Sequence, residues 1–241
     1  MKGILGLLRR NALPQPGQEP QDSMLFTTAF ADYGVDPSLL IPWEARANEV
    51  SARRLPDARG MKLLQALWAK DKFMSRLDAQ AVARLEHYFV FASVAADRDV
   101  IRQDEYGNFM VVLLTGSMAV DRLQPWGESC RLTEARAGDI LGEMSLLDSG
   151  KRFSLCATLT ECEIAILSAR ALDDMMLADA PLAASLIALL ARKLSMRLRI
   201  VSTRLSEPVQ RIAPFAGEPD QPLFELSKPL LFMPDQPNEA Q

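Results

Sequence analysis

Between Val90 and Leu167 the apolar residues come in short runs: Val100-Ile101, Phe109 to Leu114, Met118 to Leu123, Arg131 to Thr133, Ile140-Leu141, Leu155 to Leu159 and Ile164 to Leu167. Gly107, Gly116, Gly127 and Gly138 separate them. Short β-rich runs at regular spacing with glycine turns predict a sandwich or barrel, and Leu114-Thr115-Gly116-Ser117 fits a hairpin turn. On either side the period changes to that of a helix. Leu63, Leu64, Leu67 and Trp68 recur at helical spacing within a mixed, largely helical stretch from residue 24 to 72. Asp78 reads as an N-cap for a helix whose apolar face is Val82, Leu85 and Phe89.

After the strands, Ser168 can cap a helix running through Leu177, and Pro181 suits the first position of a longer one. In that long helix Ile187, Ala191, Leu194, Leu198, Val201 and Leu205 alternate four and three apart, which is a heptad seam. Leu186, Leu190 and Ile200 form a second stripe, suited to lying on the strands. A helix that is apolar on two sides needs two neighbours; the second is expected to be residues 187–205 of another copy, giving a homodimer. Arg192, Lys193, Arg197, Arg199 and Arg204 make the helix basic, and without interleaved aromatics they read as a solvated face.

These patterns divide the chain into a flexible N-terminal segment (1–23), rich in Pro, Gln and Gly from Asn11 to Ser23, a helical extension (24–72), a main domain (73–206) and a proline-punctuated tail (207–241).

The densest chemistry lies in Ala137 to Thr158, AGDILGEMSLLDSGKRFSLCAT. Gly142 permits close approach of the backbone to a ligand. The helix start that follows, with Glu143, Met144 and Ser145, offers N–H groups that favour negative charge. Arg152, ten positions on, can clamp a phosphate with two parallel bonds, with Phe153 and Ser154 beside it. Glu143 would repel a bare phosphate, so it fits only a hydroxyl; a ligand carrying both groups meets the two demands.

GEMSLLDSGKR resembles the phosphate-binding cassette of cyclic-nucleotide-binding domains, the module of the catabolite activator protein and of protein kinase A regulatory subunits. The resemblance runs from about Phe73 to Leu205. It implies an α+β fold: an eight-stranded, jelly-roll-like β-roll flanked by helices, with a long C-terminal dimerisation helix. It also implies that Glu143 binds the ribose hydroxyl and Arg152 the cyclic phosphate, and that Val201 and Ser202 of the long helix face the base. Facing ligand rather than core, Arg152 is expected to be replaceable at little cost to folding. Three departures stand out: Phe153 replaces a small or hydroxyl residue, Val201 replaces a threonine, and Asp97-Arg98-Asp99 with Asp104 replace turn glycines, which is expected to loosen the roll.

Composition removes alternatives. A net charge of −4 gives no general attraction to nucleic acid. Cys130, Cys156 and Cys162 lack C-x-x-C pairing, so neither a disulfide frame nor a metal site is indicated, and buried, reduced thiols in a cytoplasmic protein are expected. His87, the single histidine, has no companion nucleophile or ligand, so no catalysis is expected. No apolar run approaches a membrane span, and GILGLL is too short for a signal peptide's apolar region.

Three functions remain in view. The first is a cytoplasmic sensor of a cyclic nucleotide, cyclic AMP first, that needs no cofactor and passes binding to a partner protein through the long helix. The second is an interaction module of the same fold that binds no ligand. The third, a DNA-linked transcription regulator, is weakest: the seven prolines at 208, 214, 219, 222, 229, 234 and 237 break the tail too often for a helix-turn-helix, so no specific nucleic acid is expected.

Overall fold

The computed structural model describes residues 24–206; the expectations for residues 1–23 and 207–241 lie outside the described residues. The extension comprises helices α1 (Leu25–Asp32), α2 (Trp43–Glu49) and α3 (Asp57–Trp68) with two short strands, β1 (Leu40–Ile41) and β2 (Arg53–Arg54). Helix α4 (Ala79–Arg84) starts where expected, with the Asp78 carboxylate accepting from the Ala81 N–H at 2.6 Å. The roll follows: β3 (Val90–Val94), β4 (Asp99–Ile101), β5 (Tyr106–Gly107), β6 (Phe109–Thr115), β7 (Ser117–Leu123), β8 (Ser129–Arg136), β9 (Ile140–Leu141), β10 (Leu155–Thr158) and β11 (Cys162–Ser168). Helix α5 (Glu143–Asp148) interrupts the strands after β9, and α6 (Ala169–Ala178) and α7 (Ala180–Ser206) close the described chain.

Two sheets face each other, in the orders β4-β10-β7-β8 and β2-β3-β11-β6-β9. Strand β6 shows why its sequence is an unbroken apolar run. Side chains alternate across a strand, and here both faces are covered. Phe109, Val111 and Leu113 point into the core between the sheets, with Val100, Met118 and Ile164. Met110, Val112 and Leu114 point outward into a second core that α3, α4, α6 and α7 supply with Leu64, Trp68, Val82, Leu172 and Leu186. Each such side chain contributes about 1.5–3 kcal/mol of burial free energy. Gly60 lets α3 approach that sheet, because a Cβ there would collide with the Phe91 ring.

The extension is stitched into the roll. Strand β2 pairs antiparallel with β3, β1 pairs parallel with β5, and Trp43 of α2 sits in the inter-sheet core, edge-on to Phe109 at 5.6 Å. The first N–H groups of α1, at Phe26 and Thr27, donate to the buried Asp173 carboxylate of α6.

Several expectations need correction. Asp97 and Asp104 adopt φ of 57° and 64°, so the aspartates make the left-handed turns that glycine usually makes and the roll keeps its form; short polar side chains tolerate that region. Cys156 and Cys162 are buried, but Cys130 is only half-buried. Leu186 and Leu190 pack on the sheet, whereas Ile200, assigned to the same stripe, is exposed along with Met196 and Leu198. The roll covers the first half of α7 only. Among the described residues no helix is long and apolar enough to cross a membrane.

Candidate functional site

Strand β9 runs into Gly142, whose φ of +76° turns the chain from sheet to α5. That glycine and Gly107 of β5 make a slot for Arg152: a Cβ on Gly142 would lie 2.5 Å from its Nη1, and one on Gly107 would lie 2.5 Å from its Nη2. Only backbone without side chains leaves room for the guanidinium. Within the slot Nη1 donates to the Gly142 carbonyl at 2.8 Å and Nη2 to the Phe109 carbonyl at 2.6 Å. The Phe109 ring centroid lies 4.7 Å from Cζ, a cation–π contact. The Arg152 backbone is pinned as well, its N–H donating to the Glu105 carbonyl and its own carbonyl accepting from the Asp104 N–H.

Arg152 is thus 3% exposed, and the expectation that it is replaceable at little cost to folding is corrected. Burial above all pushes its pKa down to about 10, the positive charge of Arg46 adding to the effect while Glu105 and Glu143 oppose it. A guanidinium has five N–H donors; two go to these carbonyls, so the fork retains hydrogens for an anion. Its removal would orphan the buried Phe109 carbonyl and the partly buried Gly142 carbonyl, which carries a folding cost.

Glu143, the first residue of α5, is 6% exposed. Its partner comes from the long helix: Arg197 Nη1 donates to Oε1 at 2.5 Å, while Nη2 reaches the Ile140 carbonyl at 3.4 Å. Burial pushes the Glu143 carboxyl up from the ordinary carboxylate range, against the pull of Arg197. One turn earlier on α7, Lys193 donates to Asp71 at 2.7 Å, and the seam between Ile140, Glu143 and Leu190, Lys193, Leu194, Arg197 is closed. Two basic residues taken as solvated are therefore clasps that hold α7 down, one to the cassette and one to the extension.

The other predicted residues scatter. Ser145 is buried in α5 and Met144 exposed. Phe153 is exposed with the Arg122 guanidinium 4.0 Å from its ring centroid, and Arg122 Nη1 donates to its carbonyl. Ser154 is half-buried beside the Cys156 sulfur at 4.0 Å. Val201 and Ser202 lie on α7, one turn and more beyond Arg197, with Ser202 exposed. Sequence reasoning passed over Gly107, Phe109 and Arg197. Gly107 was read as a turn; the signal for Arg197 was its i+4 relation to Lys193 on the flank of Leu190 and Leu194.

Comparison with known proteins agrees with this architecture. Residues 91–179 match the family described as "Cyclic nucleotide-binding domain", so the resemblance carried by the cassette is borne out for the roll. A curated relative, the CRP-like cAMP-activated global transcriptional regulator of Mycobacterium tuberculosis, is 26% identical over 132 residues, 54% of this chain and 58% of the relative. The chain thus spans less than two thirds of that relative's length. Among solved structures, a cyclic nucleotide-binding domain from Methylobacillus flagellatus superposes with a TM-score of 0.58 at 22% identity, covering 64% of this chain and 87% of that one; it establishes the shared fold.

Proposed function

We propose that this protein is a cytoplasmic cyclic-nucleotide sensor, with cyclic AMP as its first ligand. The observation that carries the reading is the slot. Two glycines leave room for one buried arginine beside a buried glutamate, in the stretch that resembles the family's cassette. Arg152 pairs with the cyclic phosphate, Glu143 accepts from the ribose hydroxyl, and Ser154 lies within the same loop. The choice of cyclic AMP leans on the printed name of the mycobacterial relative.

Signalling follows from the clasp. The ribose hydroxyl and Arg197 compete for Glu143, so ligand and the observed seat of α7 exclude each other in part. A ligand shifts a helix only by its differential affinity for two positions, and this shared carboxylate supplies one. Beyond Leu194, the exposed Met196, Leu198 and Ile200 give α7 an apolar surface for a second copy of the chain or a downstream protein. No specific nucleic-acid contact, metal or catalytic step belongs to this reading.

Titration calorimetry with cyclic AMP, cyclic GMP and cyclic di-GMP tests it. Saturable binding of one is expected. Arg152→Leu should weaken it by about 2–5 kcal/mol, as truncating one partner of a buried charged pair does, or roughly 30-fold to several thousand-fold at about 1.4 kcal/mol per decade. Arg152→Lys keeps the charge, and should also weaken binding because an ammonium lacks the planar fork. Equal affinity in wild type and both variants would remove Arg152 from the site.

A second reading, an interaction module that binds no nucleotide, is favoured by one observation: Arg152 and Glu143 already have protein partners. Absence of binding for all three nucleotides would select it.

A further inference from the structure

The slot that holds Arg152 has a third wall, and it comes from the extension. Strand β5 carries Gly107, and its partner is β1, with Leu40 opposite Tyr106 and Ile41 opposite Gly107. Two residues on, α2 places Trp43 edge-on against Phe109, whose carbonyl and ring both contact the Arg152 guanidinium. From the same helix Arg46, 1% exposed, reaches Glu49 through Nη1 at 2.5 Å and Glu105 through Nη2. Glu105 in turn gives its backbone carbonyl to the Arg152 N–H at 2.8 Å. The one arginine is thus tied to the other through a single residue, and Arg46 Nε is buried without a hydrogen-bond partner. A buried guanidinium with an unsatisfied donor carries a desolvation cost that surface chemistry would avoid. Its two charged bonds offset that cost only while Glu105, the residue before β5, stays in place.

We propose that residues 40–50 form a built-in wall of the anion slot, with Arg46 as a positioning residue for Arg152, so that occupancy of the slot and docking of this segment are coupled. The proposal rests on the reading of the cassette as an anion site for its ligand arm, and on geometry alone for its positioning arm. Coupling between two sites is reciprocal: a docked α2 holds Glu105 and β5, and through them Arg152, in place for an anion, and an anion held by Arg152 in turn favours the docked α2. The extension then serves as a second outlet for the signal, separate from the Arg197 clasp. Arg102, which also reaches Glu49 at 2.5 Å from the end of β4, ties the same cluster to the second sheet.

Hydrogen exchange on the full-length chain tests it. The reporters are the Asp104 and Arg152 amides, which bond across the turn to the Arg152 and Glu105 carbonyls; the amides of β11 are the control. Arg46→Met is expected to speed exchange at the two reporters by about 5- to 150-fold with β11 unchanged. Arg46→Lys should give a smaller effect in the same places, because one ammonium cannot serve Glu49 and Glu105 as two nitrogens of a fork do. If Arg46→Met does not fold, Arg46→Lys alone decides. In the ligand arm, cyclic AMP added to wild type should alter exchange in α2, and the Arg46 variants should bind it more weakly.

Reporters that do not change in the variants overturn the proposal, even if wild type binds cyclic AMP. So does a uniform rise across β11, which would make Arg46 an ordinary core residue. If wild type binds no cyclic nucleotide while the reporters respond locally, the positioning role stands and the ligand reading falls.

Discussion

The β6–β11 pair and the cassette loop are neighbours held by different forces. In Phe109–Leu114 and Ile164–Leu167 every side chain is apolar and buried, on two faces, in two cores. In Gly142–Arg152 the buried groups include Glu143, Ser145, Ser149 and Arg152, each a group that costs free energy to bury unless satisfied. Apolar packing is non-directional and has no alternative partner to offer, so the strands are a fixed frame. Charged bonds can be exchanged one for another, so under the proposed function the loop would pass Glu143 from Arg197 to a ligand without unmaking the frame. The difference marks where the molecule is built to stay and where, on the proposed function, it would switch.

The largest effect should come from breaking the frame. Leu113→Ala, at a fully buried position between the sheets, is expected to cost about 2–5 kcal/mol of stability. Cyclic AMP affinity of the fraction that remains folded should be unchanged. Denaturant melts and titration of the same sample check both; a large affinity loss with intact stability would erase the distinction between frame and loop.

The frame was legible because its signal is repetitive. Strands β6, β7 and β9 fell within a residue or so of their apolar runs, and Asp78 and Ser168 cap the helices that their side-chain chemistry predicts. The cassette was legible as a motif, GEMSLLDSGKR, but its wiring was not. Nothing local tells that Arg152 will spend two donors on carbonyls, or that Gly107, 45 positions away, exists to admit it. The basic face of α7 misled for a related reason: charge on a helix reads as solvated unless the opposite charge is seen, and Asp71 and Glu143 lie 122 and 54 positions away. The two-residue strands β1 and β2 have no periodicity to read. Their pairing is set by where α2 and α3 dock.

A smaller effect is expected from the clasp. Arg197→Met removes the partner of a buried carboxylate, at about 1–3 kcal/mol; with the Arg197 side chain 29% exposed, solvent screening favours the lower part of that range. Binding should respond in the opposite sense. If Arg197 competes with the ribose hydroxyl, its removal raises the fraction of molecules ready to bind, and cyclic AMP affinity increases. Chemical denaturation with parallel calorimetry decides. Lower stability with weaker binding would make Arg197 part of the nucleotide site instead of its rival.

The finest test separates the two clasps on α7 by pH, because their acids are shifted in opposite directions. Burial pushes Glu143 above the ordinary carboxylate value, Arg197 only partly offsetting it. Between the unfolded and native values the native state then holds more protons, so stability falls as pH rises through that interval, and the penalty is complete above the native value. Asp71 behaves the other way. Burial would raise it, but the hydrogen bond from Lys193 and the N–H groups of Met74 and Phe73 outweigh that and hold it below the usual value. Its contribution is therefore present above the unfolded value and lost as pH falls through the native one. Stability measured against pH for wild type, Glu143→Gln and Asp71→Asn resolves the two. Relative to Glu143→Gln, wild type should lose ground as pH rises from the ordinary carboxylate value. Relative to Asp71→Asn, it should lose ground as pH falls below it. Lower pH would then ease the extension clasp and leave a protonated Glu143 with a weaker hold on Arg197, so α7 loosens from both sides at once. Slopes of the same sign would mean that Arg197, not burial, governs Glu143, and that the cassette clasp is an ordinary ion pair rather than one poised to be given up.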